Sequence, residues 1–534
     1  MRLRRTLALW NRIFRRADPM ERRYSTGLAL VLITALAAGL RLVYLDQESL
    51  WLDEAGRVAI AVAPLGEIPH RMAVIELSPP LYHVLLHGWI AAFGRSDVSV
   101  RLLSALLGVL AVPLSYEVGR ALYGRRVGLI SAALAAVSPF YIHYAQEAAP
   151  YALLLVLTLL SVWFFLRLLR VGDALAWGGY LAATALSLYT HTYAAFTLLA
   201  ENLFLAVMLL WRGRYKGLLG RWIAAQIGLG LLCLPWASVL MRQAALAAGV
   251  VEWGSVSLAQ AIADLFLRFN VGFAPGASRA VILLAFAPVG LAGLLTLGRE
   301  PEELALLASL SLTPILAVVA TSTVFHSYRE RGFLIMTFVY YLALARGLLA
   351  LLPAGREGGQ SSSSLRARLR RSGSLALLAV CVPLMLFAWA RSLEAHYRLP
   401  QKEQWRETAR YVEAASREGD VILFFIYGVQ VPFDHYYRGD LERHGLPQDF
   451  NWREGYGQRY LFRAEDIETS LVPRLAGHRR AWLVLSHDWG RGSDLILDHM
   501  DAHHRLVERR DFVGVRLFLY DLGTQRTGDG KRES

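Results

Sequence analysis

Between residues 24 and 390 the chain is a succession of apolar runs, each near the length of a membrane span, separated by short polar turns. A helix needs about 20 residues to cross the roughly 30 Å hydrocarbon core. Only helices and closed barrels satisfy their backbone groups in that setting. The pattern therefore limits most of the chain to a bundle of membrane helices. Composition agrees, with 55% hydrophobic and 19% charged residues, against about 25% charged in a soluble domain. The net charge of +13 is not the footprint of a nucleic-acid binder. Its arginines cluster in short loops between apolar runs and not on one amphipathic face. Cys233 and Cys381 lie far apart within apolar runs, so neither a disulfide nor thiol chemistry is expected. No P-loop, dinucleotide fingerprint or G-x-S-x-G occurs, which sets aside nucleotide-driven transport and serine hydrolysis.

Charge sets the expected topology. The arginine-rich residues 1–23 read as cytoplasmic, and residues 24–45 cross outward. That run is too long, and lacks the small-residue site, for a cleaved signal peptide. Residues 79–93 would reach only about 22 Å as a helix. They carry Tyr82, His83, His87 and Trp89, and read as an interfacial helix on the outer surface. Leaving them out of the count keeps the basic turn Gly119-Arg120-Ala121-Leu122-Tyr123-Gly124-Arg125-Arg126 inside. Further spans near 100–119, 127–143, 151–170, 174–190, 193–211, 222–242, 279–298, 303–322, 332–352 and 373–390 give about eleven crossings.

Residues 391–534 change in kind. Gln404-Trp405-Arg406-Glu407 opens an amphipathic helix, with Ala409, Val412 and Ala415 on one face, and three short apolar runs (421–425, 481–485, 513–520) read as buried strands. The expected organisation is a cytoplasmic N-terminus (1–23), a membrane domain (24–390) with an outer loop at 46–99, a soluble α/β domain on the outer face (391–522) and a disordered tail (523–534). A multi-pass protein of the plasma membrane is the simplest setting, with anionic lipids against its basic inner loops.

On this topology the outer loops collect Asp53, Glu54, Glu147, His191, His326, Arg329 and Arg331, with many aromatics between them. An adjacent carboxylate pair such as Asp53-Glu54, placed where the chain leaves a span, must face water, a cation or a substrate. Acids, histidines and arginines on one face suit a reaction that needs a base and an anion-stabilising cation.

Five motifs recur together in order and spacing: Leu50-Trp51-Leu52-Asp53-Glu54, Ser78-Pro79-Pro80-Leu81-Tyr82, the basic turn at 119–126, Tyr144-Ala145-Gln146-Glu147 with Tyr151, and Tyr189-Thr190-His191-Thr192-Tyr193. In this the chain resembles the GT-C glycosyltransferases close to the protein O-mannosyltransferases and the lipid A aminoarabinose transferase. The resemblance implies a GT-C membrane fold and transfer of one sugar from a polyprenyl-phosphate donor to a lipid, glycan or protein acceptor, with inversion and without obligatory cofactors. It implies Asp53 as general base, Glu54 as its partner and Glu147 as the second acid. Arg331 matches the cation on the donor phosphate, with Arg329 and His326 as weaker candidates. The family's lysine before the proline is replaced here by Ser78, and Arg57 is a substitute for that charge. Tyr82, Tyr151 and His191 are candidates to line the donor or acceptor path.

Plainer readings stand beside these. Glu147 also suits a helix N-terminus, Arg331 an interfacial anchor, Tyr82 an aromatic belt, and His191 an interfacial histidine with its hydrogen bonds met. No ligand spacing defines a metal site, although a divalent ion on Asp53, Glu54, Glu147 and a histidine stays open. The rival function is a lipid or sugar transporter or flippase, which would show mid-span charges and internal repeats.

Overall fold

The computed structural model describes residues 20–75, 78–247, 257–273, 277–297, 301–325, 330–352, 365–451, 462–488 and 491–523. Expectations for residues 1–19 and for the tail from 524 onward lie outside these, as do those for His326 and Arg329. By their contacts the residues form two units, Met1–Val43 with Arg101–Arg398, and Tyr44–Val100 with Leu399–Ser534. The outer loop at 46–99, expected with the membrane domain, groups with the C-terminal residues.

Helix α1 (Met20–Leu42) opens the membrane unit. The short helices α2 (Leu52–Ala61), α3 (Ile68–Ile75) and α4 (Leu81–Phe93) belong to the second unit. Next come α5 (Asp97–Tyr123), α6 (Arg125–Val137), α7 (Pro139–Ala145), α8 (Tyr151–Arg170), α9 (Ala174–Leu188) and α10 (Ala194–Arg212). The membrane unit closes with α11 (Leu219–Ala247), α12 (Leu258–Val271), α13 (Arg279–Leu297), α14 (Pro301–Phe325), α15 (Leu334–Leu351) and α16 (Leu365–Arg398). Among the described residues eight helices are long and apolar enough to cross a membrane, or nine with the bent pair α6–α7 taken as one span. The protein is thus a multi-pass membrane protein. Of the other expected crossings, α9 is an apolar helix of 15 residues and α14 has 25.

The run expected as one span at 127–143 is broken. α6 and α7 meet at 60°, because Pro139 has no N–H to give the carbonyl of Ala135 four residues back. The fully buried Arg41 supplies that donor, from Nη2 to Ala135 O at 2.8 Å and from Nη1 to Ala136 O at 2.8 Å. On the other side of the break Ser138 caps α7 by accepting the Tyr141 N–H at 3.1 Å. A second buried ionisable side chain, Glu201 of α10, bonds with the hydroxyls of Tyr180 of α9 at 2.9 Å and Ser161 of α8 at 3.3 Å. Elsewhere small residues bring helices together. A Cβ on Gly293 of α13 or on Gly347 of α15 would strike the backbone of the other helix.

In the second unit α17 (Trp405–Ala415) precedes β1 (Asp420–Phe425), α18 (Gln430–Tyr436), β2 (Glu442–Gly445), β3 (Arg480–Leu485), α19 (Gly492–His503), β4 (Arg505–Phe512) and β5 (Val515–Asp521). The sheet order is β2-β1-β3-β5-β4, parallel among the first three and antiparallel where β5 joins β3 and β4. β1 and β3 are covered on both faces, which is why they read as unbroken apolar runs. Val421, Leu423, Ala481 and Leu483 pack on one side. Ile422, Phe424, Trp482 and Val484 pack on the other, against Trp405, Ala409 and Val412 of α17. The α/β domain expected from the sequence is present.

Arg41→Leu should orphan the two carbonyls at the α6–α7 break and lower the unfolding temperature in detergent. At 1–3 kcal/mol per lost partner the cost is about 2–6 kcal/mol. An unchanged unfolding curve would show that the break holds without the guanidinium.

Candidate active site

The acid pair starts α2. Trp51 occupies the N-cap position and its side chain makes no cap hydrogen bond, and Asp53 and Glu54 fall in the first turn, where the helix dipole favours negative charge. The two carboxylates are treated unequally. The Glu54 side chain is fully buried and its Oε2 lies 3.0 Å from Lys402 Nζ. Asp53 remains 31% exposed, with the buried Arg57 one turn on at 3.5 Å.

The chain around the pair is tied to residues 401–406. Ser49 donates to the carbonyl of Glu403 at 2.6 Å and accepts the Trp405 N–H at 3.1 Å. Glu48 accepts from Gln401 N and, at 3.1 Å, from Lys402 N. Glu403 Oε2 accepts the Leu52 N–H at 3.0 Å, while its Oε1 pairs with His487 Nε2 at 2.8 Å. The Leu50 N–H donates to the Tyr436 hydroxyl at 2.6 Å. That hydroxyl donates on to Asp97 at 2.7 Å, and Asp97 also pairs with Arg406. His487 is in the left-handed region, at φ 54°. Burial opposes its charge, but the Glu403 hydrogen bond and the carboxylates of Asp53 and Asp488 outweigh burial and raise its pKa above the usual value.

A separate cluster lies in the membrane unit. Glu147, nearly fully buried, sits in the turn between α7 and α8. Pro150 holds the N-cap position of α8, so Glu147 lies outside the first turn, where a helix dipole acts most strongly. The neighbouring Gln146 donates to Val43 O at 2.9 Å and meets His396 at 2.8 Å, tying the ends of α1 and α16 to this turn. The Tyr144 hydroxyl is within electrostatic reach of Glu147, Tyr151, Glu330 and Arg331. The Arg331 guanidinium lies 5.4 Å from the Tyr151 ring centroid, a cation–π distance. His191 accepts the Tyr193 N–H at 3.1 Å, and its ring lies 5.7 Å from that of Tyr151. Gly332, beside Arg331, cannot carry a side chain because a Cβ there would fall on the Tyr193 ring.

The structure therefore groups Asp53, Glu54 and Arg57 within one unit, and Glu147, Tyr151, His191 and Arg331 within the other. Tyr82 is fully buried beside His83, and not in an exposed aromatic belt. Among the described residues no group of three or more His, Cys, Asp or Glu side chains is disposed to hold a metal ion. Cations of the chain meet the acid pair, Arg57 at Asp53 and Lys402 at Glu54. Sequence reasoning missed Lys402, Glu403 and His487. Arg57 is found by its i,i+4 spacing from Asp53, whereas no local pattern marks the other three.

Comparison with known proteins agrees with this architecture. Residues 78–241 match the family model described as dolichyl-phosphate-mannose-protein mannosyltransferase. ArnT from Cupriavidus metallidurans in its apo state is similar with a TM-score of 0.57 and 17% identity, over 93% of this chain and 98% of that one. ArnT bound to undecaprenyl phosphate gives 0.55 and 15%, over 94% and 99%. The Archaeoglobus fulgidus oligosaccharyltransferase tethered to an acceptor peptide gives 0.55 and 14%, over 93% and 74%. A comparison with curated protein sequences finds no match. The chain has the GT-C fold, a bundle of membrane helices with a small soluble sheet domain. It resembles the protein O-mannosyltransferase and aminoarabinose transferase families, as its motifs imply.

Because His487 has a raised pKa in the folded protein, its pairing with Glu403 stabilises fully below the unfolded value of about 6.5. That contribution is lost as pH rises through the folded value. Thermal unfolding of the wild type and His487→Asn should therefore differ most near pH 6 and converge toward pH 9, both rough limits set by the ordinary imidazole range. A gap that is constant with pH would exclude the charged pair.

Proposed function

We propose that this protein is a membrane glycosyltransferase that moves a single sugar from a polyprenyl-phosphate carrier to an acceptor hydroxyl, with inversion at the anomeric carbon. The reaction takes place on the outer face, with the N-terminus in the cytoplasm and the sheet domain outside. The observation that carries this reading is the division of labour in the acid pair. Glu54 is buried and neutralised by Lys402, while Asp53 is partly exposed at a helix start whose backbone is fixed by Glu403. A general base must reach substrate and yet be held in place, and of the two acids Asp53 alone combines both properties.

The fold supports the donor class, since a similar structure holds undecaprenyl phosphate. In the reaction the acceptor oxygen bonds to the anomeric carbon as the carbon–oxygen bond to phosphate breaks. The acceptor proton passes to Asp53, and the carrier leaves as its phosphate anion. An arginine suits that anion because its guanidinium stays charged and donates in a planar fork. Arg331 is the candidate, held over Tyr151. Glu147 remains the candidate second acid. The acceptor class, lipid, glycan or protein, is left to experiment. A transporter would need mid-span charges able to exchange partners, whereas Arg41 and Glu201 are committed to bonds between helices.

The test is sugar release from a panel of polyprenyl-phosphate monosaccharides by the purified, lipid-reconstituted protein, with a membrane extract as acceptor source. One donor should be consumed, and Asp53→Asn should slow its turnover at least about 100-fold, the usual scale for a lost general base. Consumption of no donor, or a variant as fast as the wild type, would refute the assignment.

A further inference from the structure

Glu403 stands where several segments of the second unit meet. One carboxylate oxygen accepts the Leu52 N–H at 3.0 Å and the Trp405 indole N–H at 3.3 Å, and the other pairs with His487 at 2.8 Å. Its backbone carbonyl accepts the Ser49 hydroxyl at 2.6 Å. The stem is held from behind by the β4–β5 turn. Gly514, at φ +69°, lies so near that a Cβ there would come within 2.6 Å of Glu403 Cγ. Gln404 and Val513 exchange two hydrogen bonds of 3.0 Å, one from each backbone N–H. Trp405 is fully buried.

This arrangement answers a need of α2. The first N–H groups of a helix have no acceptor within it, and Trp51 brings no side-chain oxygen to the N-cap position. Glu403 provides the oxygen and a negative charge at the positive end of the helix dipole. The N–H it takes belongs to Leu52, the residue before Asp53. His487, bonded to the other oxygen, is also within electrostatic reach of Asp53 and Asp488.

We infer that Glu403 is a positioning residue for Asp53, that His487 in turn orients Glu403, and that the C-terminal residues complete the acid pair's setting. The inference rests on the role proposed for Asp53 above. It assigns the C-terminal segment a part in placing the base, distinct from selecting the acceptor or capping a cleft.

Two readouts on the full-length reconstituted protein test it. Amide hydrogen exchange over residues 51–55 reports the start of α2 without reference to activity, and steady-state kinetics separate kcat from KM. Glu403→Ala should speed that exchange and lower kcat roughly 10- to 100-fold, since small misplacements of a catalytic group cost on that order. Donor KM should stay within about threefold, because ground-state binding is not the interaction removed. Glu403→Gln keeps an oxygen for the Leu52 N–H and should recover most of both losses, while His487→Asn should fall between. Should Glu403→Ala fail to fold, Glu403→Asp, which withdraws the acceptor by one methylene, takes its place with the same expected signature. Unchanged exchange at 51–55 overturns the inference whatever the activity, and so does faster exchange with an unchanged kcat. If the wild type consumes no donor, the transferase reading fails by itself. Faster exchange in Glu403→Ala, reversed in Glu403→Gln, would then still support the placing of α2.

Discussion

A carboxylate withdrawn from water costs several kcal/mol unless a cation and hydrogen bonds replace its hydration. Glu54 meets this condition through Lys402, and much of the second unit follows from that. Once Lys402 is fixed beside α2, the residues on either side of it fall into place along the chain that enters the helix. Glu48 takes the backbone N–H groups of Gln401 and Lys402, Ser49 bridges Glu403 and Trp405, and Glu403 caps α2. Trp405 then plugs one face of the sheet. Removing one member of a buried pair generally costs about 3–5 kcal/mol because the other charge is left behind. Here the loss would fall on the segment that carries Asp53.

The membrane unit obeys the same rule under harsher terms, since hydrocarbon offers no water to a stranded carbonyl. Pro139 creates such a carbonyl at Ala135, and Arg41 answers it. The break is used rather than merely tolerated. It sends α7 off at 60°, and the turn that follows α7 carries Gln146 and Glu147. Gln146 fastens that turn to the ends of α1 and α16. Glu147 is thus set by hydrogen bonds made one residue away and by a proline eight residues upstream.

Features that depend on neighbours in the chain were legible in the sequence. The apolar runs, the strands at 421–425 and 481–485 and the adjacent acids at 53 and 54 all express a local period or a local contrast. Features that depend on partners far along the chain were not. Lys402 reaches Glu54 across 348 positions and Glu403 reaches Leu52 across 351, and neither stands in a pattern that names its partner. Arg41 lies between these cases. An arginine inside an apolar run demands an acceptor, and Pro139 inside another run demands a donor, but only the fold pairs them. The burial of Tyr82 was not legible for a related reason, because an amphipathic ring fits an interface and an interior equally well.

The interleaving of the units fixes an order of assembly. Residues 44–100 and 399–523 make one unit, yet the chain between them, 101–398, makes the other. A segment made early therefore waits for partners made last. Until residues 402–406 emerge, α2 lacks the acceptor for its first N–H, and Glu54 lacks its lysine. A helix of 10 residues is marginal alone in water; α2 packs on α4 nearby in the chain, but its cap and the lysine of Glu54 come from contacts of very high sequence separation, the kind that forms late. The setting of the acid pair is consequently completed only after the membrane helices encoded between the two halves of its unit have been made.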